Sequence, residues 1–161
     1  MSYEPLYVAF LIYFNRDQDY FECHEVLEEL WLKLDKEPLY KGLLQVAVGL
    51  YHFRNGNVIG ARKMLRSACH RLAPYSDDSL GIDLGKLRSE AAVYADALDD
   101  YSKHPISYYD LSIDVNDPEL RAEIEAASKR VQPIIPQRRG PQRGAKHEAA
   151  MLLKNQRSDM N

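Results

Sequence analysis

The sequence predicts an all-α fold, an antiparallel helical bundle of about five to six helices with an extended basic C-terminal tail. Three observations lead there. Apolar residues recur at the spacing of one helix face in segment after segment, and only a weak stretch from Ile106 to Val115 competes with strand-like alternation. Prolines, aspartates and asparagines stand where helices begin and end. Beyond Pro133 the composition turns to Pro, Gly, Gln and Arg.

The elements follow in order. Pro5 suits a first helical turn, and Leu6 to Phe14 is apolar almost throughout. Asn15 to Asp19 is a polar break, with Asp17 or Asp19 free to cap a second helix that runs through about Leu34. Pro38 disfavours helix in the residue before it, so Asp35 to Pro38 marks the next break. A third helix then spans about Leu39 to Arg54. After Asn55-Gly56, Asn57 can cap a fourth, which ends before Pro74. Tyr75 to Gly85 is loop-like. From Asp83, a fifth helix is drawn by Leu84, Leu87, Ala91, Tyr94, Ala95, Leu98 and Tyr101, which share one face, and His104-Pro105 ends it. Asp117-Pro118 has the form of another start, with Leu120, Ile124, Ala127 and Val131 as a narrow stripe.

At 161 residues the chain has the length of one domain, expected over residues 1–132, with residues 133–161 as a tail that is extended or docked. The tail composition cannot bury enough surface to offset its ordering entropy alone. Charge divides the same way: residues 129–161 carry eight Lys/Arg against Glu148 and Asp159, a charge of +6, while residues 1–128 carry −9. No apolar run reaches the ~20 residues of a membrane span, and the N-terminus lacks a basic leader, so a cytoplasmic protein without a membrane partner is expected. Cys23 and Cys69 fall inside predicted helices with no neighbouring cysteine, which argues against a disulfide framework or a zinc knuckle.

The stretch from Tyr20 to Trp31, YFECHEVLEELW, holds the candidate chemistry. Cys23, Val26, Leu27, Leu30 and Leu34 form its apolar face, and His24 and Glu28, four apart, stack on the flank of that face with Trp31 a turn further and Glu25 beside them. In the third helix, GLLQVAVGLYHF from Gly42 to Phe53 is apolar on nearly all sides, which marks a buried helix. Its two strongly polar side chains, Gln45 and His52, lie two turns apart in line, with Lys41 near the same strip. A buried polar group without a partner costs roughly 1–3 kcal/mol, so these residues must face something polar. The nearest candidates are His24, Glu25 and Glu28 on the antiparallel neighbour.

These residues carry a family resemblance. Phe14-Asn15, then Tyr20-Phe21-Glu22-x-His24-Glu25-x-Leu27-Glu28-x-x-Trp31, then Tyr40-x-Gly42-Leu43-x-Gln45-x-Ala47, then Tyr51-His52, Asn57 and Gly60-Ala61 resemble the domain of unknown function 309 family over about residues 8–72. The resemblance implies a small helical bundle found in prokaryotes, for which a metal-dependent hydrolase role has been proposed.

Three functional readings follow. His24, Glu28, Gln45, His52 and Trp31 can form a polar network that sets helix register, or a pocket for a small anionic or amide-bearing ligand. Alternatively, His24, Glu28 and His52 would ligate a divalent metal (Zn, Mn or Fe) with a position left open for water, and Glu25 or Glu22 would accept the proton. His24-Glu25-x-x-Glu28 matches the zinc-protease pattern H-E-x-x-H only in part, because Glu28 stands where the second histidine would be. Thirdly, Arg138, Arg139, Arg143 and Lys146 could contact nucleic acid or protein, but charge balance favours packing on the acidic body or on a second subunit of a homo-oligomer over nucleic acid. His70 falls on the polar face of the fourth helix, and neither His104 nor His147 has ligand spacing to anything.

Overall fold

The computed structural model describes residues 3–131. Pro5 opens α1 (Pro5–Ile12), which needs no side-chain cap because the missing proline N–H is one of the four that a helix start leaves unbonded. The chain does not break directly at Asn15. Tyr13–Asp17 forms a wider π-helical turn, and the break comes at Gln18, which takes the left-handed conformation (φ 49°). Side chains hold this turn. The Arg16 guanidinium forks onto the Asp17 carboxylate at 2.8 and 2.9 Å. Asn15 exchanges two hydrogen bonds with the backbone of Ile113, donating to its carbonyl and accepting from its N–H, each at 2.8 Å.

Of the two candidate caps for α2 (Tyr20–Lys33), Asp19 serves: it is fully buried and accepts the Glu22 N–H at 3.1 Å. Pro38 starts α3 (Pro38–Arg54) and Asn57 caps α4 (Val58–Leu72) by accepting the Gly60 N–H at 2.9 Å. A 3-10 turn at Ser79–Gly81 leads to Asp83, which caps α5 (Leu84–Asp99). That helix stops short of Tyr101, whose ring instead meets the edge of Phe53 with centroids 5.9 Å apart. Asp117 caps α6 (Pro118–Ser128). The alternating stretch Ile106 to Val115 is not a strand. Its inward residues Leu111 and Ile113 are buried against the helices, and only Val115 makes an isolated bridge, to Ile82. Alternating burial needs a single extended segment lying on a core, not a sheet partner.

Each helix from α1 to α5 packs on the next, and α6 returns to cover α1. The central element is α3, in which every residue from Gly42 to Tyr51 is buried. Gly42 and Gly49, two turns apart, bring α4 close: a Cβ at Gly49 would stand 2.8 Å from Leu65 Cγ, and one at Gly42 2.7 Å from Leu72 Cδ2. No helix among the described residues is long and apolar enough to cross a membrane.

The start of the described chain is tied to α6. The Tyr3 N–H donates to Glu123, and the Tyr3 hydroxyl donates to Asp117. That second bond, with burial adding to it, pushes the Tyr3 phenol up to about 12, and it holds the Asp117 carboxyl below its ordinary range. The two shifts bound one pH window. A raised phenol pKa contributes stability that is complete below the ordinary value of about 10 and is lost as pH rises through the folded value; a lowered carboxyl pKa contributes stability present above about 4 and lost as pH falls. The stability difference between the wild-type chain and Tyr3→Phe is therefore expected to be constant from about pH 4 to 10 and to shrink on both sides of that range. Denaturant titrations of both proteins across pH will measure it.

Candidate functional site

Two contacts fix how α2 and α3 run past one another. The rings of Phe21 and Tyr51 lie 6.2 Å apart, and Lys41 Nζ stands 5.0 Å from the centroid of the Trp31 ring. Each step forward along α2 is thus a step back along α3, which sets Gln45 level with Leu27 and Glu28, and His52 level with Tyr20. On α3 the residues that face α4, Gly42 and Gly49, lie roughly 80–100° round the axis from Lys41. Lys41, Gln45 and His52 therefore run along the strip between the two neighbours. This strip of α3, with α2 on one side and α4 on the other, is the furrow between the three helices.

The α2 wall presents His24, Glu28 and Trp31. His24 is 5% exposed, and its Nε2 meets Glu28 Oε2 at 3.0 Å. His24 Nδ1 is buried without a hydrogen-bond partner, with Glu25 Oε1 3.8 Å away and out of hydrogen-bond reach. Trp31 Nε1 is also buried without a partner. On the floor, Gln45 is 3% exposed and its Oε1 is another buried atom with no partner. Lys41, half-buried, has its ammonium pushed down by burial and then by the Arg71 guanidinium, against the opposing pull of Glu28.

Arg71 belongs to the α4 wall. The absence of a side chain at Gly42 lets Arg71 Cβ come within 3.3 Å of where a Cβ would be, so the base of the Arg71 side chain packs against the first turns of α3. Its Nε is buried without a partner. Sequence reading missed this residue because it follows from the approach of α4 to α3; the Gly42 and Gly49 spacing was the available signal.

The candidate residues are thus not all gathered. His24 and Glu28 are in contact at 3.0 Å, Trp31 and Gln45 line the same furrow, and Glu25 stands at its outer edge. Glu22 lies about 200° round α2 from His24, on the side of Tyr13, whose phenol is pushed up by burial and then by the Glu22 charge. His52 stands level with Tyr20, a turn away from His24, with its ring beside Tyr51 and its Nδ1 3.4 Å from Asn57 Nδ2. Among the described residues no three His, Cys, Asp or Glu side chains are arranged to hold a metal ion, and that includes His24, Glu28 and His52 as a set for Zn, Mn or Fe. The offset of His52 along the helix axis is the physical reason: one turn of rise separates it from His24. The basic tail, with Arg138, Arg139, Arg143 and Lys146, and the domain boundary at residue 132 lie outside the described residues.

Fold and furrow together define a small all-helical domain with a buried polar strip between α2, α3 and α4. Residues 7–64, from α1 to the middle of α4, match the family model described as Domain of unknown function (DUF309). The match contains every furrow residue named above except Arg71. The chain is 36% identical over 90 residues to "Uncharacterized protein YpuF" of Bacillus subtilis (strain 168), covering 53% of this chain and 52% of that protein. It is 32% identical over 74 residues to an "Uncharacterized protein" of Aquifex aeolicus (strain VF5), covering 44% of this chain and 22% of that protein. The chain thus spans about half the length of the first of these relatives and about a fifth of the second. No solved structure matches it.

Proposed function

We propose that the protein binds a small polar molecule in the furrow between α2, α3 and α4, and that His24, Trp31 and Gln45 orient it. One observation carries this reading: His24 Nδ1, Trp31 Nε1 and Gln45 Oε1 are all buried along one furrow without a partner. A polar network whose only task is to lock helix register would satisfy its own members, since an unpaired buried polar group costs about 1–3 kcal/mol. Three such atoms along one strip instead suit a site whose remaining bonds come from a ligand. The contact of His24 Nε2 with Glu28 at 3.0 Å fits the same scheme, because it leaves Nδ1 as the ring nitrogen without a partner.

Gln45→Leu tests this without knowledge of the ligand. In a binding site the buried amide is a cost to the empty protein, and a leucine of similar volume removes it, so the variant is expected to gain about 1–2 kcal/mol in stability. In a closed structural network the same change breaks bonds and loses a similar amount. Urea unfolding of the two proteins separates the cases. A destabilised Gln45→Leu would return the furrow to a purely structural role.

A further inference from the structure

We propose that Lys41 and Arg71 form an oxyanion subsite of the furrow, which holds the carboxylate or phosphate group of a small ligand while Trp31 and Gln45 bond its neighbouring polar atoms. This rests on the binding reading above and names the chemistry of the ligand. The two cations come from different helices and are brought together at Gly42, against which Arg71 packs. Neither makes an ion pair among the described residues, although both are partly buried. Other arginines of α4 and α5 show the contrast: Arg66 is paired with Asp96 and Asp99, and Arg88 with Asp77. Two half-buried like charges side by side are unfavourable unless an anion joins them.

The surroundings point the same way. Lys41 lies over the face of Trp31 at 5.0 Å, and Lys36 lies over the same ring at 5.8 Å, so three cations gather at this end of the furrow. The carboxylate that acts on Lys41 is Glu28, and one of its oxygens already lies 3.0 Å from His24 Nε2. Trp31 Nε1–H is a donor with no acceptor, which an oxyanion supplies. Gln45 can turn its terminal amide to present N–H in place of O, because the two orientations fill the same space. Four donors from three helices then converge on one acceptor group, and Arg71 can meet it with two parallel bonds.

The chain has a single tryptophan, Trp31, so its fluorescence reports on this site alone. The full chain is titrated with inorganic phosphate and, separately, with succinate, ionic strength being held constant with sodium chloride. A saturable change in Trp31 emission with phosphate, succinate or both is expected, and none with chloride; the stronger of the two identifies the group as phosphate or carboxylate. Lys41→Gln and Arg71→Gln should each weaken that response about tenfold, as loss of one charge-assisted contact does. Lys63→Gln, on the exposed face of α4, should leave it unchanged. Circular dichroism identifies any variant that fails to fold, in which case the other variant and Arg71→Lys, expected to retain part of the affinity, decide the matter. An equal response to chloride, no response to either anion, or a response indifferent to both positions overturns the subsite. A stabilised Gln45→Leu alongside a failed titration would remove the oxyanion but leave the binding furrow standing.

Discussion

Gly49→Val is expected to cost the fold about 3 kcal/mol, the upper range for overpacking a close-packed core. In most helices, replacing glycine by a residue with a side chain is favourable by roughly 1 kcal/mol. Here that gain is reversed. A Cβ at this position lies 2.8 and 2.9 Å from Leu65 Cγ and Cδ2 and 3.4 Å from the Ala61 carbonyl oxygen, and valine adds two methyl groups beyond it. Leu65 and Ala61 are both fully buried, so neither can swing aside into solvent. The measurement is the unfolding free energy of the variant, followed by a double-mutant cycle with Leu65→Ala. The second change should restore part of the loss, because it removes the atoms that collide. A Gly49→Val protein as stable as the wild type would mean that α4 does not rest on α3 as described.

Asn15→Ala should cost about 2–3 kcal/mol, the loss of two hydrogen bonds that leaves backbone groups of a buried residue unpaired. Asn15 both donates to and accepts from Ile113, 98 residues away, at 2.8 Å in each direction. Ile113 is 3% exposed and has no sheet partner, so the asparagine amide takes the place of a neighbouring strand. Amide hydrogen exchange gives a local measure: the Ile113 N–H should lose protection by a larger factor than amides in α3. Asn15→Asp should fall between, since the carboxylate keeps the acceptor and loses the donor.

Local signals were the most legible part of the sequence. Asp19, Asn57, Asp83 and Asp117 cap helices where their chemistry says they should, because a cap bonds to an N–H only two or three residues on. The juxtaposition of α2 and α3 was also readable, since a short connection forces antiparallel neighbours and the polar residues of each fall on one strip. Legibility ended where distant parts of the chain decide the outcome. The π-helical turn that delays the break after α1 is held through Asn15 by Ile113, in the connection between α5 and α6. Tyr101, which shares the periodic face of α5, lies past its end and packs edge-on against Phe53 of α3. The separation of His52 from the His24 and Glu28 pair depends on axial register, which periodicity within either helix does not state. Arg71 was invisible for the same reason: its place depends on how close two glycines let α4 come.

The return of α6 to α1 sets an order of events on the ribosome. The first helix is synthesised early, but the side chains that cover it, Leu120 and the partly buried Ile124 and Ala127, are among the last of the described chain to emerge. Until then the aliphatic flank of α1 around Val8 and Leu11 is uncovered in the nascent polypeptide, and translation must run well past the family-matched segment before the molecule can close.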